Sequence, residues 1–440
     1  MKQSNFFLLL EKQGLTRDNI LDISYSTGLI KRKRTIMPDD LLFAICNETI
    51  IGNSSFNDLA MQIDNSTKKS VTRQAVSKKI KQQCKIFMQE IVKIILKNKL
   101  EKDKSIKIFK TLKYKRIIVQ DSTIIKLPLA LYEFFLGASN KHCKRTNARI
   151  QVVFDLLSEQ FISFSIDSYT KNDVTSAPEL QIIKDDLVLR DRGYLTLNEI
   201  KRHIDIGADC IYRYKYKMML LDKNTFKPID LTKMLKKNAN LDMEVRLNNK
   251  EKTIIRVVAS PVDKTIADER RRKAKKESKG KNPSKKFLEQ QDWSIFIITI
   301  SKDKADFSTI FKLYSLRWRI EIIFKGWKSN MNFSKYHNVS VCQLYVIVLA
   351  RFIMAMLFVH FIFKECKTII YNRFEKHLSL MKTLKYFVKF PDVIINLYFD
   401  LSCQNKKEIG SSIKRLKRYC CYDSRRKRLN FEQEMKVIFS

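Results

Sequence analysis

Up to about residue 105, apolar residues recur every three or four positions, as in CKIFMQEIVKII and the ILKNKL that ends it, and this spacing predicts a helical domain over 1–105. From 106 to 200 the rhythm shortens to β-branched runs, KRIIVQDSTIIKLP, ARIQVVFDLL, QFISFSI and DDLVLRDRGYL, which predict strands of a central sheet. A second β-rich stretch, 201–302, holds IYRYKYKM in strict alternation, then MEVRL, TIIRVVA and WSIFIITI. Helical spacing returns over 303–365 and continues through a basic region, 366–440, that contains KRLKR and RRKR. The fold class expected is α/β, with helical regions flanking a sheet and no internal repeat.

Three segments need a closer reading. SFNDLAMQI, a polar break at Asp64–Ser70, and SVTRQAVSKKIKQ have the layout of two short helices joined by a turn. The second would be a recognition helix presenting Thr72, Arg73, Gln74, Ser77, Lys78 and Lys79 to base edges and phosphates. LYVIVLARFIMAMLFVHFIF, 344–363, is long enough to cross a bilayer. Arg351 and His360 interrupt it, so it reads as a buried core helix. The run ERRRKAKKESKGKNPSKK, 269–286, is too charged and too broken by Gly and Pro to enter a core, and it reads as a mobile loop that is either solvated or gripping phosphates.

Composition sharpens the picture. With 440 residues the chain is long enough for two to four domains. Lys and Arg total 85 against 46 Asp and Glu, a formal net charge of +39, which attracts a polyanion and makes nucleic acid the first partner to consider. The nine cysteines are scattered, without a CxxC pair or a neighbouring His to complete a zinc site, and read as reduced thiols of a cytoplasmic protein. The apolar run near the N-terminus is too short for a signal peptide.

Candidate chemistry rests on three carboxylates. Asp121 follows the apolar run Ile117–Val119 and precedes Ile124 and Ile125, inside a strand that is otherwise buried. An ionised carboxylate there is costly without a cation or hydrogen-bond donors. Asp191 repeats the situation at the end of Leu187–Leu189, just before Gly193. Capping of a strand end is the plain alternative for each. The third signal is Tyr314-x2-Arg317-x3-Glu321-x6-Lys328. On one continuous helix these offsets project to roughly 0°, 300°, 340° and 320°, a stripe about 60° wide, with Ile320, Phe324 and Trp327 on other faces. An exposed ladder, Arg317 with Glu321 and Glu321 with Lys325, would explain the same spacing and contribute only a few tenths of a kcal/mol. Taken together, three carboxylates can hold two Mg²⁺ ions about 4 Å apart for an in-line phosphoryl displacement. A site built only of carboxylates accepts Mn²⁺ as well.

The Tyr-Arg-Glu-Lys spacing resembles the signature of bacterial insertion-sequence DDE transposases of the insertion-sequence-four type. Asp121-Ser122-Thr123 and Asp191-Arg192-Gly193-Tyr194 resemble that family's Asp-Gly-Thr and Asp-Arg-Gly-Tyr, with Ser122 in place of a glycine, and a long β insertion separates the second Asp from the Glu helix. The resemblance runs from about residue 50 to 365. It implies an RNase H-like catalytic core in two parts, 106–200 and 303–365, split by a β-rich insertion at 201–302. It also implies that Asp121, Asp191 and Glu321 are catalytic and bind metal. Tyr314, Arg317, Lys328 and the insertion-domain Arg213 would hold DNA phosphates, and Trp293 would stack on a flipped base during hairpin formation.

The expected activity is cut-and-paste transposition: recognition of terminal inverted repeats through the N-terminal helices, pairing of ends by a homodimer, strand cleavage and transfer to target DNA. Region 366–440 is the candidate dimer interface, and the expected location is the cytoplasm, at the nucleoid. A transposase-derived protein that binds ends without cutting them, and a nuclease without strand transfer, are the competing expectations; a membrane protein is the most distant.

Overall fold

The structure, a computed structural model, describes residues 1–52, 55–102, 113–139, 142–171, 177, 179–278, 282–402, 406–423 and 433. These fall into two compact units. A helical unit takes in the described residues within 1–106, 122–172 and 318–432, and a sheet unit those within 107–121, 173–317 and 433–440. The units cut across the five linear segments expected from the sequence. The expected boundary at 105 and the RRKR of the tail lie outside the described residues.

Helices α1 (Gln3–Glu11), α2 (Arg17–Ser26), α3 (Pro38–Ile51), α4 (Phe56–Thr67), α5 (Arg73–Lys79) and α6 (Gln82–Lys102) open the chain. The two short helices expected before residue 82 are α4 and α5. Each starts on a hydroxyl cap: Ser55 Oγ accepts from Asp58 N at 3.1 Å and Thr72 Oγ1 from Ala75 N at 3.3 Å. Lys68, in the left-handed region at φ +59°, ends α4. On α5 Val76 is buried while Thr72, Arg73, Gln74 and Lys78 are exposed and Ser77 and Lys79 half-buried.

The strands are β1 (Arg116–Lys126), β2 (Asn147–Asp155), β3 (Gln160–Ser168), β4 (Asp186–Arg190), β5 (Asp209–Arg213), β6 (Leu220–Asp222), β7 (Leu241–Leu247), β8 (Ile254–Pro261) and β9 (Trp293–Ile298), in the spatial order β3-β2-β1-β4-β5-β9-β8-β7-β6. Within the sheet unit β1 pairs in parallel with β4, Ile118 opposite Val188, and β4 in parallel with β5, Leu189 opposite Ile211. Strands covered on both faces read as unbroken apolar runs, and Ile117, Ile118, Val119, Leu187, Val188 and Leu189 are fully buried. Helix α7 (Leu197–Ile206) makes the crossover from β4 to β5 and stops at Gly207, whose φ of +79° suits glycine. From β9 outward the pairing is antiparallel. The expected alternation through IYRYKYKM ends early. The strand stops at Arg213, because Met218 N closes a turn on Lys215 O at 3.0 Å and Lys217 takes φ +71°.

The basic run departs most from expectation. After α8 (Leu231–Lys237), it forms α9 (Lys264–Glu277) and enters α10 (Lys285–Glu289), while 279–281 lie outside the described residues. Ala267, Arg270, Arg271 and Ala274 make its inner face, and the i,i+3 pair Asp268–Arg271 at 2.7 Å and the i,i+4 pair Lys273–Glu277 at 3.9 Å lie along it.

Helices α11 (Phe307–Ser315), α12 (Trp318–Asn330), α13 (Val341–Leu357), α14 (Lys364–Phe374), α15 (Leu380–Lys389), α16 (Pro391–Ser402) and α17 (Lys406–Cys420) complete the chain. Val341–Phe374 is long and apolar enough to span a membrane, yet its most apolar window is 94% buried in the protein. The two polar interruptions are held inside the helical unit. Arg351 Nη1 donates to Asn332 O at 2.6 Å and its Nε to Thr49 O at 3.0 Å, and His360 Nε2 accepts from Phe161 N at 3.0 Å. Residues Phe358–Phe363 between α13 and α14 form a wider π-helical turn. The described cysteines are all free, and most are buried.

Candidate active site

Asp191 leaves the C-terminal end of β4 in extended conformation, φ −79° and ψ 167°, and leads into a 3-10 turn over Arg192–Tyr194. Its backbone is set by what precedes it. Arg190, 4% exposed, donates Nη1 to Glu199 Oε2 at 2.7 Å and to Tyr212 Oη at 3.2 Å, which ties the strand end to α7 and β5. Below this brace, burial drops the His203 pKa to about 4, so the ring is neutral near pH 7 and its Nδ1 lies 2.6 Å from Glu199 O. Asp191 itself is left differently: its Oδ1 is buried and has no hydrogen-bond partner.

Asp121 lies in the middle of β1, as expected, and its carboxylate is met by Arg317 Nη1. Tyr314, near the end of α11, packs its ring 4.5 Å from that of Phe296 on β9, and its hydroxyl is also buried without a partner. Burial is the main cause that pushes the Tyr314 phenol above its ordinary pKa; the charges of Arg317, Asp191, Arg213 and Asp121 all act on it too. Within the sheet unit, then, five of the expected site residues share one neighbourhood: Asp121, Asp191, Arg213, Tyr314 and Arg317. Trp293 opens β9, half-buried, opposite Pro261.

The single helical stripe expected for Tyr314, Arg317, Glu321 and Lys328 does not form. Leu316 N bonds Leu313 O at 3.2 Å and Arg317 N bonds Tyr314 O at 3.1 Å, a tightened turn that separates α11 from α12. Tyr314 and Arg317 therefore belong to the sheet unit, and Glu321 and Lys328 to the helical unit. On α12 these two are seven residues apart, so they share a face, both half-buried, while Ile320, Ile323, Phe324 and Trp327 are buried beside and behind it. Burial lowers the Lys328 pKa.

Carboxylate oxygens are the donor type that hard divalent cations take, and a buried carboxylate oxygen without a donor fits that chemistry at Asp191. Among the described residues, however, no three His, Cys, Asp or Glu side chains stand together as a metal-holding group. Arg73 and Lys78 lie exposed on α5 in the helical unit.

Sequence reasoning missed two groups. One is the brace of Arg190, Glu199 and Tyr212, for which no local pattern exists. The other is Arg270, hidden in the basic run; the Ala267 and Ala274 spacing, two turns of helix, was the available signal.

Residues 113–353 match the family described as transposase DDE domain. The chain is 25% identical over 370 residues to the transposase for insertion sequence element IS231E of Bacillus thuringiensis subsp. finitimus, covering 78% of this chain and 77% of that one. It is 25% identical over 437 residues to the transposase for insertion sequence element IS1151 of Clostridium perfringens, covering 92% and 91%. Among solved structures, a piggyBac transposase synaptic complex with hairpin DNA aligns over 98% of this chain at 9% identity with a TM-score of 0.43, too low to establish a shared fold. The family match spans more than half of the residues, including Asp121, Asp191 and Glu321, and on it the chain belongs to the DDE-domain transposases.

Proposed function

We propose that this transposase is of the insertion-sequence-four type, with an RNase H-like core, and moves its element by cut-and-paste chemistry on double-stranded DNA. The observation that carries the reading is Asp191: in a DDE-family chain, a carboxylate at the end of a parallel strand keeps a buried oxygen without a donor, beside Asp121 and Tyr314. Asp121, Asp191 and Glu321 are the ligands we assign to two Mg²⁺ ions, with Mn²⁺ as a substitute. When bound, such ions supply Lewis-acid activation of the attacking and leaving oxygens.

The protein's own groups bind and orient. Arg213, Arg317 and Lys328 neutralise backbone phosphates, and the protonated Tyr314 hydroxyl donates to a phosphate oxygen. Water attacks phosphorus in line, the P–O3′ bond breaks, and the released 3′-hydroxyl then attacks a target phosphodiester, forming a new P–O bond as the target's P–O3′ bond breaks and its 3′-hydroxyl leaves. Trp293 offers a face for an extruded base if a hairpin forms. Arg73 and Lys78 on α5 read the terminal inverted repeats, and a homodimer pairs the two ends at the nucleoid.

One observation favours a second reading: the Asp121 carboxylate is already engaged by Arg317. That is what a transposase-derived protein that binds ends without cutting would show. Incubating the full chain with Mg²⁺ and DNA carrying the inverted repeats that flank its gene, beside Glu321→Gln, separates the two. Cleavage at the repeat boundary by the parent alone supports the enzyme. Binding without cleavage in Mg²⁺ or Mn²⁺ favours the silent binder.

A further inference from the structure

Arg270 and Arg271 are neighbours on α9 in opposite circumstances. Arg271 is held by two carboxylates, its Nη2 2.7 Å from Asp268 Oδ1 and its Nη1 against Asp292. Arg270 turns inward, half-buried, and gives Nη1 to Trp293 O at 3.1 Å and Nη2 to Ser294 Oγ at 3.3 Å, both neutral acceptors. Among the described residues no carboxylate stands within ion-pair distance of it.

A second guanidinium shares its surroundings. Arg213 ends β5 opposite Phe296, and the following Tyr214 N bonds Ile295 O at 2.9 Å, so Arg213 and Arg270 are anchored on the same stretch of β9. Arg213 also has no carboxylate partner among the described residues. The two are close enough that the Arg213 charge adds to burial in lowering the Arg270 pKa. Tyr314, which feels the charge of Arg213, contributes the partnerless hydroxyl described above.

Holding two like charges together, partly desolvated and without an ion-pair partner among the described residues, costs free energy that solvation on an open surface would avoid. A pair kept in that state is built for an anion that arrives from outside. The outer side of α9 continues the positive field, with Arg272, Lys273, Lys275 and Lys276 exposed. We propose that Arg270 and Arg213 clamp one phosphate of the DNA backbone, with the Tyr314 hydroxyl as an added donor, which makes the basic helix α9 a DNA-contacting element. This rests on the transposase reading above, and it decides between the solvated and the phosphate-gripping readings of the run 269–286 in favour of the second.

The test is equilibrium binding of the full chain, without divalent metal, to a short duplex carrying the inverted repeat, across a salt series. Arg270→Ala is expected to bind about tenfold more weakly at low salt and to lose about one unit from the slope of log K against log salt, the signature of one phosphate contact. Arg270→Lys keeps the charge and should restore most of the slope, whereas the control Lys223→Gln, at a lysine that follows the edge strand β6 and is paired with Glu244, should leave the slope at the parent value. A purely structural Arg270 would weaken binding evenly at every salt concentration. If the parent binds and Arg270→Ala keeps the parent slope, the clamp is overturned and the transposase reading stands. If the parent binds no duplex at any salt concentration, the proposed recognition of the inverted repeat falls and takes the clamp with it.

Discussion

Glu159 in the helical unit and Asp191 in the sheet unit are both acids at strand ends, and the protein treats them in opposite ways. Glu159, in the turn between β2 and β3, is 7% exposed and receives Lys367 Nζ at 2.7 Å and Arg319 Nη2 at 3.4 Å. Burial alone would raise its pKa, but the Lys367 and Arg319 charges outweigh it and hold the carboxyl below its ordinary value. Asp191 has its backbone fixed just as firmly, through Arg190, yet one carboxylate oxygen is left with nothing to accept from. The first carboxylate completes the fold it sits in. The second is incomplete until something else arrives.

The comparison breaks most visibly in activity. Asp191→Asn should keep the parent's melting temperature and lose metal-dependent end cleavage by roughly 10³-fold, the scale of removing a group that stabilises the transition state. Cleavage near the parent rate would return Asp191 to the structural class. Next comes Glu159→Gln, which removes the carboxylate that Lys367 and Arg319 meet in the helical unit. Denaturant unfolding should show a loss of about 3–5 kcal/mol, with cleavage retained at temperatures where the chain remains folded. A variant as stable as the parent would show that the ion pairs contribute nothing.

The smallest effect sharpens the comparison through the brace beneath Asp191. His203 has a folded pKa of about 4, below its unfolded value of about 6.5. The folded state therefore disfavours the charged ring. The stability this gives is fully present above pH 6.5 and is lost as pH falls toward 4, on the order of 3 kcal/mol. In His203→Gln the pH dependence of unfolding should flatten across that window; an unchanged curve would mean that folding leaves the ring as basic as it is in the unfolded chain.

Much of this was legible in the chain. β1 and β4 announced themselves as apolar runs ending in or containing a carboxylate, because parallel strands buried on both faces need continuous apolar sequence. Arg351 and His360 marked 344–363 as a core helix, since both find partners in the protein. What stayed hidden was set by contacts remote in sequence. Nothing in YSLRWRIE forbids a continuous helix, as it contains neither Gly nor Pro; the turn at Leu316–Arg317 accompanies the reach of Arg317 to Asp121, 196 residues away. Likewise the charge of 269–286 argued for a loop, whereas α9 is held by Arg271 to Asp292 and by Arg270 to Trp293. Family membership follows from the match over 113–353, while the roles of the individual site residues rest on the experiments above.

The π-helical turn at Phe358–Phe363 carries a consequence for residue counting. Such a turn amounts to one residue inserted into an α-helix, and one residue is a rotation of about 100°. Everything beyond it, Lys367 included, is therefore out of phase with α13 by that angle, and it is in this phase that Lys367 meets Glu159. The number of residues in the turn is part of the specification of an ion pair, as a tooth count is part of a gear. An alignment that closed up the extra residue would preserve the hydropathy of the segment and assign the wrong neighbour to every side chain after it.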